Sequence, residues 1–386
     1  MKVVMVGDYP EPGKRISGGV ERVIDTLLPE LARTVDLTLI VPAASQDATC
    51  DHRGVRTIYM QRARPGSLHY WTSDAVRLAR MVENLRPDIV HLQGVAGIGR
   101  LVSCPRILTV HGFLHKDMVA SARGIGAGLL ARHLAGQVIR IVEKRARRRI
   151  GHVISINPYV QEALPDIARL ERYPIPNPLD PVFVTQDRET CPSRARHIVS
   201  VGRIGPRKNT LAVIVAAAKV MRHDPDASLT ICGDASDDAY FAKCNDFIAA
   251  EGLTGRIRMA GNLSSSELAA LLDRASCLVM ASRQETAPMA IAEAQARGVA
   301  VVAPKAFGIP YMIEPGVNGL FWPVDDPAAQ ATMLARALDH AWDRVAIARV
   351  ARETYGARDV AARTLEAYRA VLGGRSDVRR DLAHQR

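Results

Sequence analysis

Apolar residues in this 386-residue chain gather in short unbroken runs, and the stretches between the runs carry apolar positions at helical spacing. Val3, Val4, Met5 and Val6 make the first run and predict a strand over 3–6. Val20, Val23, Ile24, Leu27, Leu28 and Leu31 then recur on one helix face. Further runs predict strands over 37–41, 55–60, 88–92, 106–110 and 153–156, with helical patterns between them and a long helix over 129–149. A proline-rich run at 173–181 interrupts the alternation, which begins afresh with strands over 197–201, 228–232, 256–260, 277–280 and 299–302. Helices near 211–221, 239–250, 266–275 and 288–298 separate these strands, the last opened by Pro288 and closed by Gly298. Such alternation predicts α/β architecture with parallel strands, and the restart predicts two domains, over 1–183 and 184–355. A helix over 356–372 and a polar, mobile tail over 373–386 are expected to follow.

In open α/β layers, ligands collect beyond the carboxyl ends of the strands, where loop side chains and free helix amides share one crevice. Residues at those ends are therefore the candidates. After the strand at 277–280 come Glu285 in a loop and Glu293 inside the next helix, two carboxylates that flank the crevice or, equally, form part of a solvated surface. Thr286, Ala287, Met289 and Ala290 line the same helix start, and the Met289 and Ala290 amides suit a phosphate there. The loop after 197–201 reads GRIGPRKN and offers Arg203 and Lys208 to a phosphate. Gly18 and Gly19, at the first strand-to-helix junction, allow positive φ and close approach of a ligand, though a plain tight turn needs the same residues. The pair does not form GxGxxG, so the dinucleotide fingerprint is absent. His111 ends the strand over 106–110, where it suits a substrate phosphate or hydroxyl or a purely structural bond.

The net charge of +11 and pI near 9.6 favour acidic partners such as phosphates or an anionic bilayer. Aromatic residues at 5%, with no basic–aromatic interleaving, disfavour nucleic acid. Cys50, Cys104, Cys191, Cys232, Cys244 and Cys277 include no CxxC pair and read as core thiols in a reducing compartment. The amino-terminal apolar run is too short for a signal peptide, and no run reaches the length of a membrane span, so a cytoplasmic protein is expected. The long helix carries Leu130, Leu134, Val138, Ile141 and Val142 on one side. Arg132, Arg140, Lys144, Arg145, Arg147, Arg148 and Arg149 stand on the other against one acid, Glu143. That pattern fits peripheral contact with an anionic membrane as well as a simple charged surface.

Taken together, SGGVERVIDTLLPELA, TVHGF, IPNPLD, VGRIGPRKN, the Glu-x7-Glu block and GVNGLFWPVDDP resemble, in order and spacing, retaining nucleotide-sugar glycosyltransferases of the GT-B fold. The family includes bacterial lipid mannosyltransferases and sucrose-phosphate synthases. The resemblance implies two Rossmann-like domains facing a central cleft, with the C-terminal helix returning to the first domain. It implies that Arg203 and Lys208 hold the donor diphosphate, Glu293 the ribose hydroxyls and Glu285 the transferred sugar. Gly18-Gly19 would face the diphosphate, and His111 would lie near sugar and acceptor. It also implies retention at the anomeric carbon, a glycan or lipid-linked acceptor, and no cofactor or metal, the cations doing what a divalent ion does elsewhere. Two departures stand out: Thr286-Ala287-Pro288-Met289 replaces a glycine-containing loop, and Pro178 follows the asparagine where glycine is usual. Rival readings are a glycoside hydrolase using Glu285 and Glu293, a nucleotide-sugar epimerase, and a non-catalytic binder of acidic glycan or membrane.

Overall fold

Runs of β-branched residues form two separate sheets in the structure, a computed structural model that describes residues 1–16, 18–63, 73–113, 116, 127–185 and 196–373, giving the backbone path alone at 73 and 127–134. The chain divides into two units. The first comprises Met1–Phe113, Gln137–Pro178 and the stretch from Ala357 onward; the second comprises Leu114–Gly136 and Leu179–Gly356.

The first unit holds β1 (Lys2–Val6), β2 (Asp36–Ala44), β3 (Ala48–His52), β4 (Val55–Gln61), β5 (Ile89–Gln93), β6 (Arg106–Val110), β7 (His152–Ser155) and β8 (Glu171–Pro174). Their order is β3-β4-β2-β1-β5-β6-β7-β8, parallel throughout except for β3 against β4. Strand β1 sits centrally with Val3 to Val6 fully buried, because both sheet faces are covered. Helix Gly19–Ala32 packs inward through Val23, Ile24, Leu27, Leu28 and Leu31. Helix Ala357–Gly373 lies against that helix and against β6, and its buried Tyr368 hydroxyl is 2.6 Å from Nδ1 of His91 on β5.

The second unit holds β9 (His197–Val201), β10 (Ser228–Cys232), β11 (Ile257–Gly261), β12 (Cys277–Val279), β13 (Ala300–Pro304) and β14 (Gly319–Trp322), ordered β11-β10-β9-β12-β13-β14 and parallel. Successive strand residues serve opposite faces. Ile198, Cys277, Val279 and Val302 pack with helices Thr210–Met221 and Pro327–Asp339, whereas Val199, Leu278 and Val301 pack with Ser265–Asp273 and Met289–Ala296. Helix Met289–Ala296 ends in a Schellman motif: Val299 N–H bonds Ala294 O at 2.9 Å and Gly298 N–H bonds Gln295 O at 2.8 Å. Gly298 has φ +72°, and a methyl group there would lie 2.5 Å from Arg344 O, so glycine is required twice over.

Three strands escape the sequence pattern. Strands β3 and β8 are half-exposed, and β14 is a four-residue edge strand beginning at a glycine. The long helix runs over Ala127–Arg147, not to Arg149; side chains of Leu130, Arg132 and Leu134, together with Cys191 and residues 374–386, lie outside the described residues. Cys232, Cys244 and Cys277 are core thiols, but Cys50 and Cys104 are only half-buried.

Candidate functional site

In the second unit four loops leave the carboxyl ends of the neighbouring strands β10, β9, β12 and β13, and short contacts bind them together. Gly202 ends β9 with φ +147°, its N–H bonded to Cys232 O at 2.9 Å. A methyl group on Gly202 would meet Lys208 Cε at 3.1 Å, so the lysine stem lies flat over this glycine. Ile204 N–H bonds Asp234 O at 2.9 Å, and a methyl on Gly233 would lie 2.3 Å from Gly202 O, which clasps the loops after β9 and β10. On the other side Arg283 N–H bonds Arg207 O at 2.8 Å, and an Arg207 guanidinium N–H bonds Gln284 O at 3.2 Å. The result is a fixed bridge from the basic loop to the loop carrying Glu285.

Across that bridge Lys208 Nζ contacts Glu285 Oε1 in an ion pair. The two side chains are 20% and 8% exposed, so the pair is largely sequestered. Gly308 N–H holds the Glu285 carbonyl at 3.1 Å, tying in the loop after β13. Glu293, Thr286 and Gln284 are also buried, and the Gln284 Nε2 and Ser282 Oγ atoms, both shielded from solvent, make no hydrogen bond. The solvated-surface reading of the two glutamates is thereby excluded. Arg203 is exposed at the mouth of its loop.

Pro288 does not open the helix from inside. Its ψ of 118° is extended, which makes it the N-cap, and the helix begins at Met289. The imide nitrogen lost to proline is therefore outside the helix, and the first helical amides belong to Met289 and Ala290. Asp237, adjacent to Asp238, is spent on a cap, its carboxylate accepting from Tyr240 N–H at 2.9 Å.

In the first unit His111 follows β6, with Nε2 2.6 Å from Gln93 Oε1. Burial pushes its pKa down to about 4, and the neighbouring Asn177 side chain offsets part of that shift. That offset is a side-chain hydrogen bond with Asn177, and the Nδ1 atom is shielded from solvent. One strand back, His91 Nε2 is 2.7 Å from Thr109 Oγ1, and burial with the nearby His111 drives its pKa to about 3. Gly18 is the N-cap of helix Gly19–Ala32 in extended conformation (φ −117°, ψ 155°), held by Glu21 Oε2 at 3.0 Å. Positive φ is not the reason for that glycine pair; in this loop it occurs at Gly13. A methyl group on Gly18 would meet nothing closer than Glu21 Cδ at 3.6 Å, an ordinary contact.

Arg147, expected among the exposed cations, is buried. Its Nε lies 2.9 Å from Asp166 Oδ2 and its guanidinium 3.2 Å from Oδ1, with Glu143 at 3.8 Å. Arg140, Lys144, Arg145, Arg148 and Arg149 are exposed, beside Val138 at 60% and Ile141 at 49% exposure. Arg207, Gln284, Gln93 and Asn177 are neighbours of the candidate residues that the residue pattern alone did not single out. A signal for Gln93 existed: polar residues at alternate positions in His91-Leu92-Gln93 and Thr109-Val110-His111 break two otherwise apolar strands.

Comparison with known proteins follows the same division. A family model described as Glycosyltransferase Family 4 matches residues 17–183, and one described as Glycosyl transferases group 1 matches residues 185–354. The chain is 33% identical over 151 residues to a D-inositol 3-phosphate glycosyltransferase of Corynebacterium efficiens, a match over 38% of this chain and only 36% of that one. It is 27% identical over 393 residues to the protein of that name from Paenarthrobacter aurescens, covering 94% of this chain and 96% of the relative. Among solved structures, sucrose-phosphate synthase from Thermosynechococcus elongatus shares the fold with a TM-score of 0.76 at 18% identity, covering 95% of this chain and 98% of that one. Anabaena HepE in complex with UDP-glucose gives 0.71 at 17% identity, covering 95% and 100%.

Proposed function

The chain belongs to the GT-B glycosyltransferases of the family 4 type, and from that premise we propose that it moves a hexose-type sugar from a nucleotide-diphosphate donor to a hydroxyl acceptor, with retention at the anomeric carbon. The observation that carries this reading is the contact of Lys208 with Glu285. In a nucleotide sugar the anomeric carbon is bonded directly to the diphosphate, so a cation for the phosphate and a carboxylate for the sugar hydroxyls must be neighbours. Arg203, Lys208 and the Met289 and Ala290 amides stabilise the charge that grows on the departing diphosphate. Glu285 accepts from the sugar hydroxyls and Glu293 from the ribose, with Thr286 and Ala287 lining the loop between them. From the first unit this reading assigns His111 to a sugar or acceptor hydroxyl and the Gly18-Gly19 junction to the donor phosphates.

The complex of Anabaena HepE with UDP-glucose supports a uridine-diphosphate hexose as the first donor to test. The relatives named for D-inositol 3-phosphate support a phosphorylated polyol among the acceptors, beside glycan and lipid-linked hydroxyls. Because two cations already serve the diphosphate, transfer proceeds without a divalent metal and persists in excess chelator. The test is release of nucleoside diphosphate from a panel of nucleotide sugars with and without acceptor. Acceptor-dependent release supports transfer. Free hexose in equal amount would favour a hydrolase, and an isomerised donor without acceptor an epimerase.

The exposed Val138 and Ile141 among Arg140, Lys144, Arg145, Arg148 and Arg149 favour a second element of the reading, peripheral attachment to an anionic membrane surface. No helix among the described residues is long and apolar enough to cross a membrane.

A further inference from the structure

Strands β9 and β12 are parallel neighbours, with Ile198 opposite Cys277 and Val199 opposite Leu278, so the loops that leave them set out side by side. One residue holds those loops in step. Arg207 accepts at its carbonyl from Arg283 N–H at 2.8 Å and donates from its guanidinium to Gln284 O at 3.2 Å. The next residue of the basic loop, Lys208, meets the next of the acidic loop, Glu285. From β13, on the other flank of β12, Gly308 N–H takes the Glu285 carbonyl at 3.1 Å. The consecutive carbonyls of 284 and 285 are therefore gripped by two different loops. Of the three bonds that hold this segment, at 283, 284 and 285, two come from the main chain and survive a change of side chain. The third belongs to the half-buried Arg207 side chain. Its guanidinium is charged and planar, which makes the bond stronger and more directional than one from a neutral or freely rotating donor. The side chain of Gln284 does not share the work through its amide nitrogen, which is shielded from solvent and makes no hydrogen bond.

We propose that Arg207 is the positioning residue of the Lys208–Glu285 pair: it ties the peptide before Glu285 to the residue before Lys208, and so fixes the spacing of the cation from the carboxylate without touching the donor. The catalytic half of this statement rests on the glycosyltransferase reading; the clasp itself does not. In that reading Lys208 serves the diphosphate and Glu285 the sugar, two parts of one ligand joined at the anomeric carbon. Their protein partners must then be held to within about 0.5 Å of the productive spacing. A free nucleoside diphosphate makes no such demand, because it carries no sugar to be aligned. Loosening the clasp should therefore separate turnover of the sugar from affinity for the nucleotide.

Arg207→Met keeps the apolar stem and loses the donors, and Arg207→Lys keeps a charged donor on a shorter arm. Amide hydrogen exchange at Arg283 and Gly308 reads the clasp directly and should quicken about tenfold in Arg207→Met, with the melting temperature within about 4 °C of the wild type. With UDP-glucose as donor, Arg207→Met should lower kcat about tenfold or more, while affinity for UDP measured by titration stays within about twofold. Arg207→Lys should recover about a third of the wild-type kcat, since it restores a charged bond of poorer geometry. Unchanged exchange or unchanged kcat in Arg207→Met overturns the proposal, as does a lysine variant no better than the methionine one. A fall in UDP affinity equal to the fall in kcat would also overturn it: at an unchanged melting temperature Arg207 would be a ligand of the diphosphate, and at a much lower one a residue of the fold alone. Quickened exchange in a chain that transfers sugar from no nucleotide sugar would refute the glycosyltransferase reading and the catalytic half with it, and leave the clasp standing.

Discussion

Lys208 can be separated into a structural counter-ion and a leaving-group cation by a double-mutant cycle with Glu285. Glu285 is 8% exposed, and its contact with Lys208 offsets the cost of holding a carboxylate away from water. Lys208→Met strands that carboxylate. Removing one partner of a buried pair costs about 3–5 kcal/mol, and the partial exposure of Lys208, 20%, points to the lower end, about 3 kcal/mol. For a unit of this size each kcal/mol moves the melting temperature by about 2–4 °C, so a drop of about 6–12 °C is expected. Glu285→Gln leaves a long, mobile ammonium that can reach solvent and should cost only about 1 kcal/mol. The double variant Lys208→Met/Glu285→Gln holds no stranded charge and should melt within about 4 °C of the wild type. Activity should behave differently: kcat/KM should fall about 10²-fold or more in Lys208→Met and should not recover in the double variant, which lacks both the diphosphate's cation and the carboxylate assigned to the sugar. Melting curves and donor turnover on the four proteins complete the cycle. A double variant that regains turnover would mean that Lys208 only neutralises Glu285, and one as unstable as Lys208→Met would mean that the buried carboxylate is not the source of the loss.

The pH dependence of stability should carry the mark of His91 and His111. Both pKa values lie below the ordinary 6.5, at about 3 and about 4, so the unfolded chain takes up protons first and stability is lost as pH falls from about 6.5 toward 4. Each group adds a slope of about 1.4 kcal/mol per pH unit in that window, and His111→Asn should remove about half of their joint slope in unfolding titrations; an unchanged slope would mean that the ring is already charged or already solvated. Sedimentation with anionic vesicles should fall with added salt and in the Arg140/Lys144/Arg145/Arg148→Ser variant, since each cation near such a surface contributes about 1 kcal/mol; equal binding to neutral vesicles would rule the attachment out. Arg147 must be left in place in that experiment, because its loss would strand Asp166 and unfold the helix end rather than test the membrane. Thr286→Val should weaken donor binding by about 1 kcal/mol in calorimetric titration if its hydroxyl meets the donor, and an unchanged affinity would assign that buried hydroxyl to the fold.

The alternation of strand and helix was legible because each central strand is buried on both faces and so reads as an unbroken apolar run. The edge strands β3 and β8 were not, because both are half in water and carry the residues of a loop. The site divides along a similar line. Arg203, Lys208, Glu285 and Glu293 announce themselves as charges at the ends of apolar runs, whereas their partners are set by distances the chain order hides. Arg147 looks like Arg148 and Arg149 until Asp166, 19 residues away, closes on it. His91 and Tyr368 meet across 277 positions, and the pairing of Gln93 with His111 depends on the register of β5 against β6, in which Gln93 sits opposite Thr109.

Burial is what converts the legible half into chemistry. Two glutamates on a segment have no meaning while both could be solvated, because a surface carboxylate costs nothing. Once Glu285, in the loop after β12, and Glu293, in the helix that follows it, are seen to be buried, each imposes a cost of several kcal/mol that well-packed apolar residues of similar size would not. Stability alone therefore gives no reason to keep them there. The cations that accompany them lie at the ends of adjoining strands, where helix amides already favour an anion. A buried carboxylate held against a lysine in that place suits a ligand that is negative at one end and hydroxylated at the other, which is the chemical description of a nucleotide sugar.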